Sequence, residues 1–401
     1  MIVVRLSGEM KLRRIGIVPS PDWTLRRVLT ELFAAIDPAV RHRGETYRLE
    51  WRTLLDEPVI AGEDLHRVAD VVFDRMTHRS EFARSRAFQF RRAGVAMIND
   101  PVTFWWIDKH ATYDVLAGAL DPRDRLPKTV LLPPQGRRFE DELDARRWER
   151  LGDEGRFAVD IAVDSVETHF GGRWPLFLKK SIGGGGRDVF LVHNSEELAA
   201  RLAESGGRAF LLQEAVLACD TAYRCLTVGP QVLPMPESPL LGPQQRAPGR
   251  MAEGEIAARL RRYAVFIAAH FGWGYNSLEA FVDGDSILPI DFANGCPATD
   301  LVNLTIWFPW AAASLFRWLC FRAVSAENDG FEEFVARNFA DLDERLIAIL
   351  QRVFPELLDE DVRWSRYPAG ERPALRERLQ TLYDEQFFRD PMAYLSPWMS
   401  L

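Results

Sequence analysis

Two stretches of the chain carry residue types able to handle a polyphosphate and its metal. The first is Phe177-Leu178-Lys179-Lys180-Ser181-Ile182-Gly183-Gly184-Gly185-Gly186-Arg187-Asp188-Val189-Phe190. Four consecutive glycines have no Cβ, so their N–H groups can approach an anion closely. The lysine that ends the incoming apolar run adds a compact positive charge aimed at the same place. The glycines join strand to strand, which separates this stretch from a Walker loop, whose GxxxxGK[ST] run opens a helix. A flexible hairpin turn is the other reading of the same residues. The second stretch is Leu278-Glu279-Ala280-Phe281 followed by Pro289-Ile290-Asp291-Phe292-Ala293-Asn294. It sets a carboxylate on one strand of a hairpin and a carboxylate plus an amide oxygen on the other, hard ligands suited to Mg2+. Polar residues on a solvated hairpin face would read alike, but apolar neighbours flank both acids.

Lysine is scarce enough to be informative. The 401 residues hold only Lys11, Lys109, Lys128, Lys179 and Lys180 among 50 basic side chains. An arginine-rich drift in composition accounts for the bias, since most surface lysines tolerate the exchange. Where a lysine persists, a point ammonium can be needed that a planar guanidinium does not imitate.

Elements to hold these residues are legible along the chain. A strand at 14–20, a helix from Thr24 to Ile36, and apolar runs at Tyr47–Leu54, Val68–Met76 and Ala93–Ile98 alternate with helix-like stretches. This predicts a small parallel-sheet α/β domain over residues 1–100. Asn99-Asp100-Pro101 closes it with turn chemistry, and a helix over 102–120 carries Lys109 in its middle. Strands are expected at 127–132, 175–180, 189–192, 209–216 and 221–228, with charge-rich helices over 138–170 and a capped helix opening at Ser195. A Pro/Gly/Gln-rich loop at 234–249, holding Arg246 and followed by Arg250, precedes an amphipathic helix over 253–271. A hairpin follows, 277–282 with 287–292, turning at Asp283-Gly284-Asp285. The last hundred residues read as helical, with a stop near Pro355.

Composition bounds the function. The chain is 47% hydrophobic and 27% charged with a net charge of −8, a balance that argues against nucleic-acid binding, which needs a basic surface to replace phosphate counterions. The N-terminal residues lack the uninterrupted apolar stretch of a signal peptide. The segment 306–324 contains Pro309, Arg317 and Arg322, so it reads as a buried helix and not a membrane span. Cys219, Cys225, Cys296 and Cys320 show neither a CxxC pair nor zinc spacing, as reduced thiols of a cytoplasmic protein would.

In their order and separations these motifs resemble the ATP-grasp superfamily, which includes D-alanine–D-alanine ligase, glutathione synthetases, biotin carboxylase and the glutamate ligases that modify ribosomal proteins. The resemblance spans roughly residues 90–305, with 14–90 as the customary N-terminal α/β domain. It implies an α/β and α+β chain: an N-terminal domain over 1–100, an ATP-grasp domain over 101–305 whose lid lies at about 130–216, and a helical C-terminal segment over 306–401. By the same resemblance two α+β subdomains grip ATP. Lys109 and Lys179 bind its phosphates, Gly183, Gly184, Gly185 and Gly186 cover them, and Leu212-Gln213-Glu214-Ala215-Val216 is the hinge whose backbone holds adenine. Asp220 takes the ribose, Arg224 faces the γ-phosphate, and Glu279, Asp291 and Asn294 hold two Mg2+ ions. Asp291 and Asn294 stand three apart, where the family usually places its last two ligands on one strand face; a bulge at Phe292-Ala293 would restore convergence, and otherwise Asn294 is not a ligand. Lys180 occupies a position where many members have proline, and alternation sends only one of the two neighbouring lysines inward.

The activity so implied is ATP-dependent ligation of a small-molecule carboxylate to an amine, an amino acid or peptide, through an acyl phosphate. The alternatives are a phosphotransferase on the same scaffold and a nucleotide-binding protein without turnover. No nucleic-acid or membrane partner is expected, and a homodimer is the base-rate expectation.

Overall fold

The first apolar run forms β1 (Lys11–Ile17), starting three residues before the expected position. In the computed structural model, which describes residues 10–20, 23–36, 39–105, 108–132, 158–182, 188–204, 209–216, 219, 221–236 and 251–395, β1 is the middle strand of five. The others are β2 (Ala39–His42), β3 (Glu45–Thr53), β4 (Val71–Phe73) and β5 (Ala96–Ile98), in the order β2-β3-β1-β4-β5. β1 runs parallel to β3 and β4, and β4 parallel to β5. A parallel sheet must be covered on both faces. Strand alternation accordingly sends Val71 and Phe73 into one apolar core and Val72 into another. Helices α1 (Trp23–Ala35) and α2 (Glu81–Arg92) are contributors to those two cores, α1 through Leu25, Val28, Leu29 and Leu32 and α2 through Phe90.

β2 is an element that the sequence did not announce. Arg43 and Gly44 both have positive φ, 47° and 82°, the conformation of the two-residue turn that matches strand twist. Only Gly44 accepts it without a Cβ penalty. The Asn338 side chain accepts from Arg41 N at 2.7 Å and donates to Arg41 O at 3.0 Å, occupying main-chain groups that an edge strand would otherwise leave exposed.

By packing, the chain divides into two units: Met1–Trp106 with Tyr223–Leu278 and Gly295–Leu401, and Ile107–Ala222 with Glu279–Asn294. These cut across the sequential segments 1–100, 101–305 and 306–401. In the first unit the helix Phe308–Val324 is buried at every residue but Arg322 and Val324 and shares a core with β1, β4 and α1, as a helix apolar on most of its surface should. The segment Leu301–Val324 is long and apolar enough to cross a membrane by composition, yet its apolar window is 89% buried inside the protein. The expected stop at Pro355 is not found, because the helix Leu342–Glu360 runs through it. Proline inside a helix costs about 3 kcal/mol. Burying Leu357 and Leu358 beyond it returns about 2 kcal/mol each, which outweighs it.

The second unit holds an antiparallel sheet of β6 (Thr129–Leu132), β7 (Leu176–Lys180), β8 (Val189–Val192) and β9 (Phe210–Glu214), in the order β6-β9-β7-β8. Leu132, Leu176, Leu178, Val192, Phe210 and Leu212 share a core with Val166 of the helix Ala158–Phe170 and Leu198 of the helix Ser195–Ala203. Alternation places Leu131, Phe177, Lys179, Val189, Leu191, Leu211 and Gln213 on the opposite face. A further sheet has the order β11-β10-β12-β13, from β10 (Thr221–Val228), β11 (Gln231–Pro236), β12 (Tyr275–Asp283) and β13 (Ser286–Asn294). The last two are the expected hairpin, two residues longer at its outer ends. The single helix expected over 102–120 is two: α3 (Pro101–Trp105) and α4 (Lys109–Ala117). Asp108 explains the restart, because its side chain accepts from His110 N and Ala111 N and caps a new N-terminus.

Candidate active site

Lys109 therefore opens α4 instead of lying mid-helix. Its main-chain N–H donates to Ser181 O at 3.2 Å, and Ser181 Oγ donates to Asp108 Oδ2 at 2.5 Å. The start of α4 is thus tied to the end of β7, where Lys179 and Lys180 stand. The Lys109 side chain is nearly buried, and its Nζ lies 2.9 Å from both Oδ1 and Oδ2 of Asp291 on β13. One α-helical turn on, Tyr113 shares the same face of α4, and its hydroxyl donates to the carbonyl of Ile290, the residue before Asp291. Helix α4 accordingly holds β13 at two successive residues, one by charge and one by hydrogen bond.

Lys179 lies on the face of β7 away from the two helices. Its Nζ donates to Gln213 Oε1 at 2.6 Å and stands 5.5 Å from the Phe177 ring centroid. Burial depresses the Lys179 pKa. The Asp291 carboxylate opposes that shift, the Lys109 ammonium adds to it, and the Glu279 carboxylate opposes it. Four of the residues singled out in the sequence are therefore within electrostatic range of one another. Lys180 turns elsewhere, its Nζ 3.9 Å from Asp188 Oδ2. Of the two neighbouring lysines it is Lys179 that shares its surroundings with Lys109 and the acids.

Glu279 lies midway along β12, and Asn294 ends β13, which continues as strand through Asp291 to that residue. Among the described residues no group of three or more His, Cys, Asp or Glu side chains forms a cation site. The donor set at hand is two carboxylates with an amide in sequence beyond them. That composition fits Mg2+, which takes one or two protein carboxylates and completes its shell with water and phosphate oxygens.

In the hinge stretch, Gln213 is fully buried with its side chain on Lys179, while Glu214 is held at the strand end. Arg125 pairs with the Glu214 carboxylate at 2.9 and 3.2 Å, and Glu214 N donates to Lys128 O at 2.9 Å. Hydrogen bonding from Arg125 lowers the Glu214 pKa. Ala215 and Val216 follow, half-buried, beyond the end of β9. Arg224 is on β10 in the first unit, where its Nη2 donates to Ala298 O at 3.0 Å. His110, beside Lys109, has its Nδ1 3.9 Å from Asp114 Oδ2 along the helix surface. Gly183, Gly184, Gly185, Gly186 and Asp220 lie outside the described residues, as do most of the expected lid helices and the loop with Arg246 and Arg250.

Tyr113 and the side-chain role of Gln213 were not read from the sequence. The signals were present: Tyr113 is four residues from Lys109, and Gln213 alternates with Leu212 on a strand otherwise apolar up to Glu214.

No protein-family model matches the chain, and no curated protein sequence does. Among solved structures it is similar to ATP-grasp proteins. One is a RimK domain ATP-grasp protein from Sphaerobacter thermophilus, at 18% identity and a TM-score of 0.47, over 78% of this chain and 100% of that one. Another is D-alanine–D-alanine ligase from Bacillus anthracis, at 14% identity and a TM-score of 0.46, over 86% and 99%. A third is the VanG D-Ala:D-Ser ligase from Enterococcus faecalis, at 13% and 0.46, over 79% and 99%.

Proposed function

We propose that this chain is an ATP-dependent ligase of the ATP-grasp type, joining a small carboxylate to an amine with release of ADP and phosphate. The observation that carries the reading is the grouping of Lys109 and Lys179 with Asp291 and Glu279 in one electrostatic neighbourhood. It lies beside a sheet face bearing Leu131, Phe177, Val189 and Leu191, apolar side chains suited to a purine ring. A point charge set among apolar residues is what a nucleotide presents in complement: a flat base and an anionic tail.

The chemistry follows from charge. A carboxylate oxygen attacks the γ-phosphorus, the bond to the β–γ bridging oxygen breaks, and ADP departs. The amine then attacks the acyl carbon, phosphate leaves, and the amine surrenders a proton. Two anions must meet in the first step, and Lys109 and Lys179 offset that repulsion as preorganised charges. Glu279 and Asp291, with Asn294, are the residues to hold Mg2+, which would neutralise phosphate charge when bound. Arg224 as a partner of the γ-phosphate, the glycine run as a cover, and the adenine and ribose roles of residues 212–216 and Asp220 rest on the sequence resemblance.

The test is ADP release from Mg–ATP in the presence of pooled amino acids and small peptides, deconvoluted by omitting one component at a time. Release that requires both a carboxylate and an amine supports ligation. Release with a phosphorylated acceptor and no new amide identifies a phosphotransferase instead.

A further inference from the structure

Gln213 is a large polar side chain, 1% exposed, on the face of the second unit's sheet that meets helix α4, and its side-chain hydrogen bonds define its orientation. Its Nε2 donates to Tyr113 OH at 2.7 Å and to Thr129 Oγ1 at 2.8 Å. Both hydroxyls have already committed their single proton, Tyr113 to Ile290 O and Thr129 to Pro127 O. Each can therefore only accept from Gln213. This settles which end of the amide faces which way: the NH2 group meets the two hydroxyls, and Oε1 is left for Lys179 at 2.6 Å. The flipped amide would set two donors, NH2 and ammonium, against each other and leave Oε1 facing two oxygens without protons.

We propose that Gln213 is a positioning residue, orienting the Lys179 ammonium for nucleotide phosphate, and that Tyr113 and Thr129 act behind it by locking the amide. This inference rests on the assignment of Lys179 to the phosphates. A lysine stem has several rotatable bonds and a strongly hydrated head, so its ammonium is not held in one place by itself. A carbonyl oxygen that cannot rotate away selects one direction for it. The amide does this without charge. A glutamate of the same shape would neutralise Lys179 and set a carboxylate where phosphate is to bind, and both hydroxyls would then have to abandon their backbone acceptors. Because Tyr113 also grips Ile290 beside Asp291, the network connects Lys179 to the strand that bears the proposed metal ligand.

The experiment is a double-mutant cycle read by calorimetric binding of Mg–ADP, using full-length wild type, Gln213→Met, Lys179→Met and the double variant, with thermal unfolding recorded for each. Methionine keeps the volume and removes the acceptor. Gln213→Met is expected to weaken binding roughly tenfold or more, the usual loss for a hydrogen bond to a charged group. In the Lys179→Met background it should change affinity by less than about twofold, because the group it orients is gone. Gln213→Glu should weaken binding at least as much as Gln213→Met. An equal loss from Gln213→Met in both backgrounds would mean that it supports only the sheet, and unchanged affinity in the single variant would dismiss the role; either result overturns the proposal while leaving the nucleotide assignment intact. A wild-type protein that binds no Mg–ADP overturns both.

Discussion

The Lys109 ammonium sits 2.9 Å from each oxygen of the Asp291 carboxylate, across 182 residues of sequence. A group proposed for phosphate and a group proposed for metal thus pair with each other. Their exposures, 10% for the lysine side chain and 34% for the aspartate, mean that the pair is only partly screened by water. On the proposed roles, binding of Mg–nucleotide would be an exchange, in which the ion would take Asp291 and the phosphates Lys109.

That exchange has a testable sign. Asp291→Asn releases Lys109 from its carboxylate, so ADP without Mg2+ should bind the variant at least as tightly as the wild type. The gain in affinity that Mg2+ brings to the wild type should be largely lost, and turnover should fall by on the order of 10²–10³. Calorimetry with and without Mg2+ reads the first two effects, and ADP release reads the third. Undiminished ADP production at limiting Mg2+ would remove Asp291 from the metal site.

The two neighbouring lysines should separate cleanly. Lys179→Arg keeps the charge but replaces a compact donor with a planar fork that does not fit the single Gln213 oxygen. A loss on the order of 10²–10³ in rate is expected. Lys180→Arg, whose partner is the half-exposed Asp188 at 3.9 Å, should stay within about threefold of wild type, since surface pairs contribute little. Amine-dependent ADP release under saturating Mg–ATP decides between them.

A buried acid pair in the first unit sets a pH dependence of stability. Burial, and then the neighbouring Asp300 carboxylate, push the Asp361 pKa up to about 7. Its oxygens accept from Val302 N and Arg363 N, while Arg363 Nε is given to Asp300 at 2.7 Å. The folded protein thus holds the Asp361 proton more tightly than the unfolded chain does. Unfolding free energy from this group is greatest below the ordinary carboxylate range and declines as pH rises through about 7. Asp361→Asn should flatten that decline, so that the variant gains on the wild type by at least about 2 °C in Tm between pH 5 and pH 8. Parallel pH profiles for the two proteins would exclude the effect.

Removing the C-terminal helices should unfold the first unit and not merely shorten it. Leu315, Leu319 and Phe321 share one core with Ile15, Leu29 and Val71. A chain ending at Asp300 would expose that core, and it should be insoluble or lack cooperative melting. A milder probe is Leu319→Ala, expected to cost about 2–5 kcal/mol by opening a cavity, measured by denaturant titration. A soluble, cooperatively folded protein ending at Asp300 would refute this arrangement.

Much of this protein was determined by neighbours in sequence. The hairpin that carries Glu279 and Asp291, the strands 189–192 and 221–228 and the helix opening at Ser195 all follow from alternation, turn chemistry and capping, which act over at most about four residues. The restart at Asp108 was also local, an N-cap signal two and three residues from its partners that the sequence reading passed over, whereas the passage of a helix through Pro355 depends on buried side chains packed from elsewhere in the chain. Which lysine of the pair faces the acids, that Lys109 meets Asp291, and that the Gln213 amide points one way were decided by tertiary structure alone. Each depends on donors and acceptors from strands and helices tens to hundreds of residues apart. A buried polar group is satisfied only by whatever the packed chain brings within about 3 Å of it.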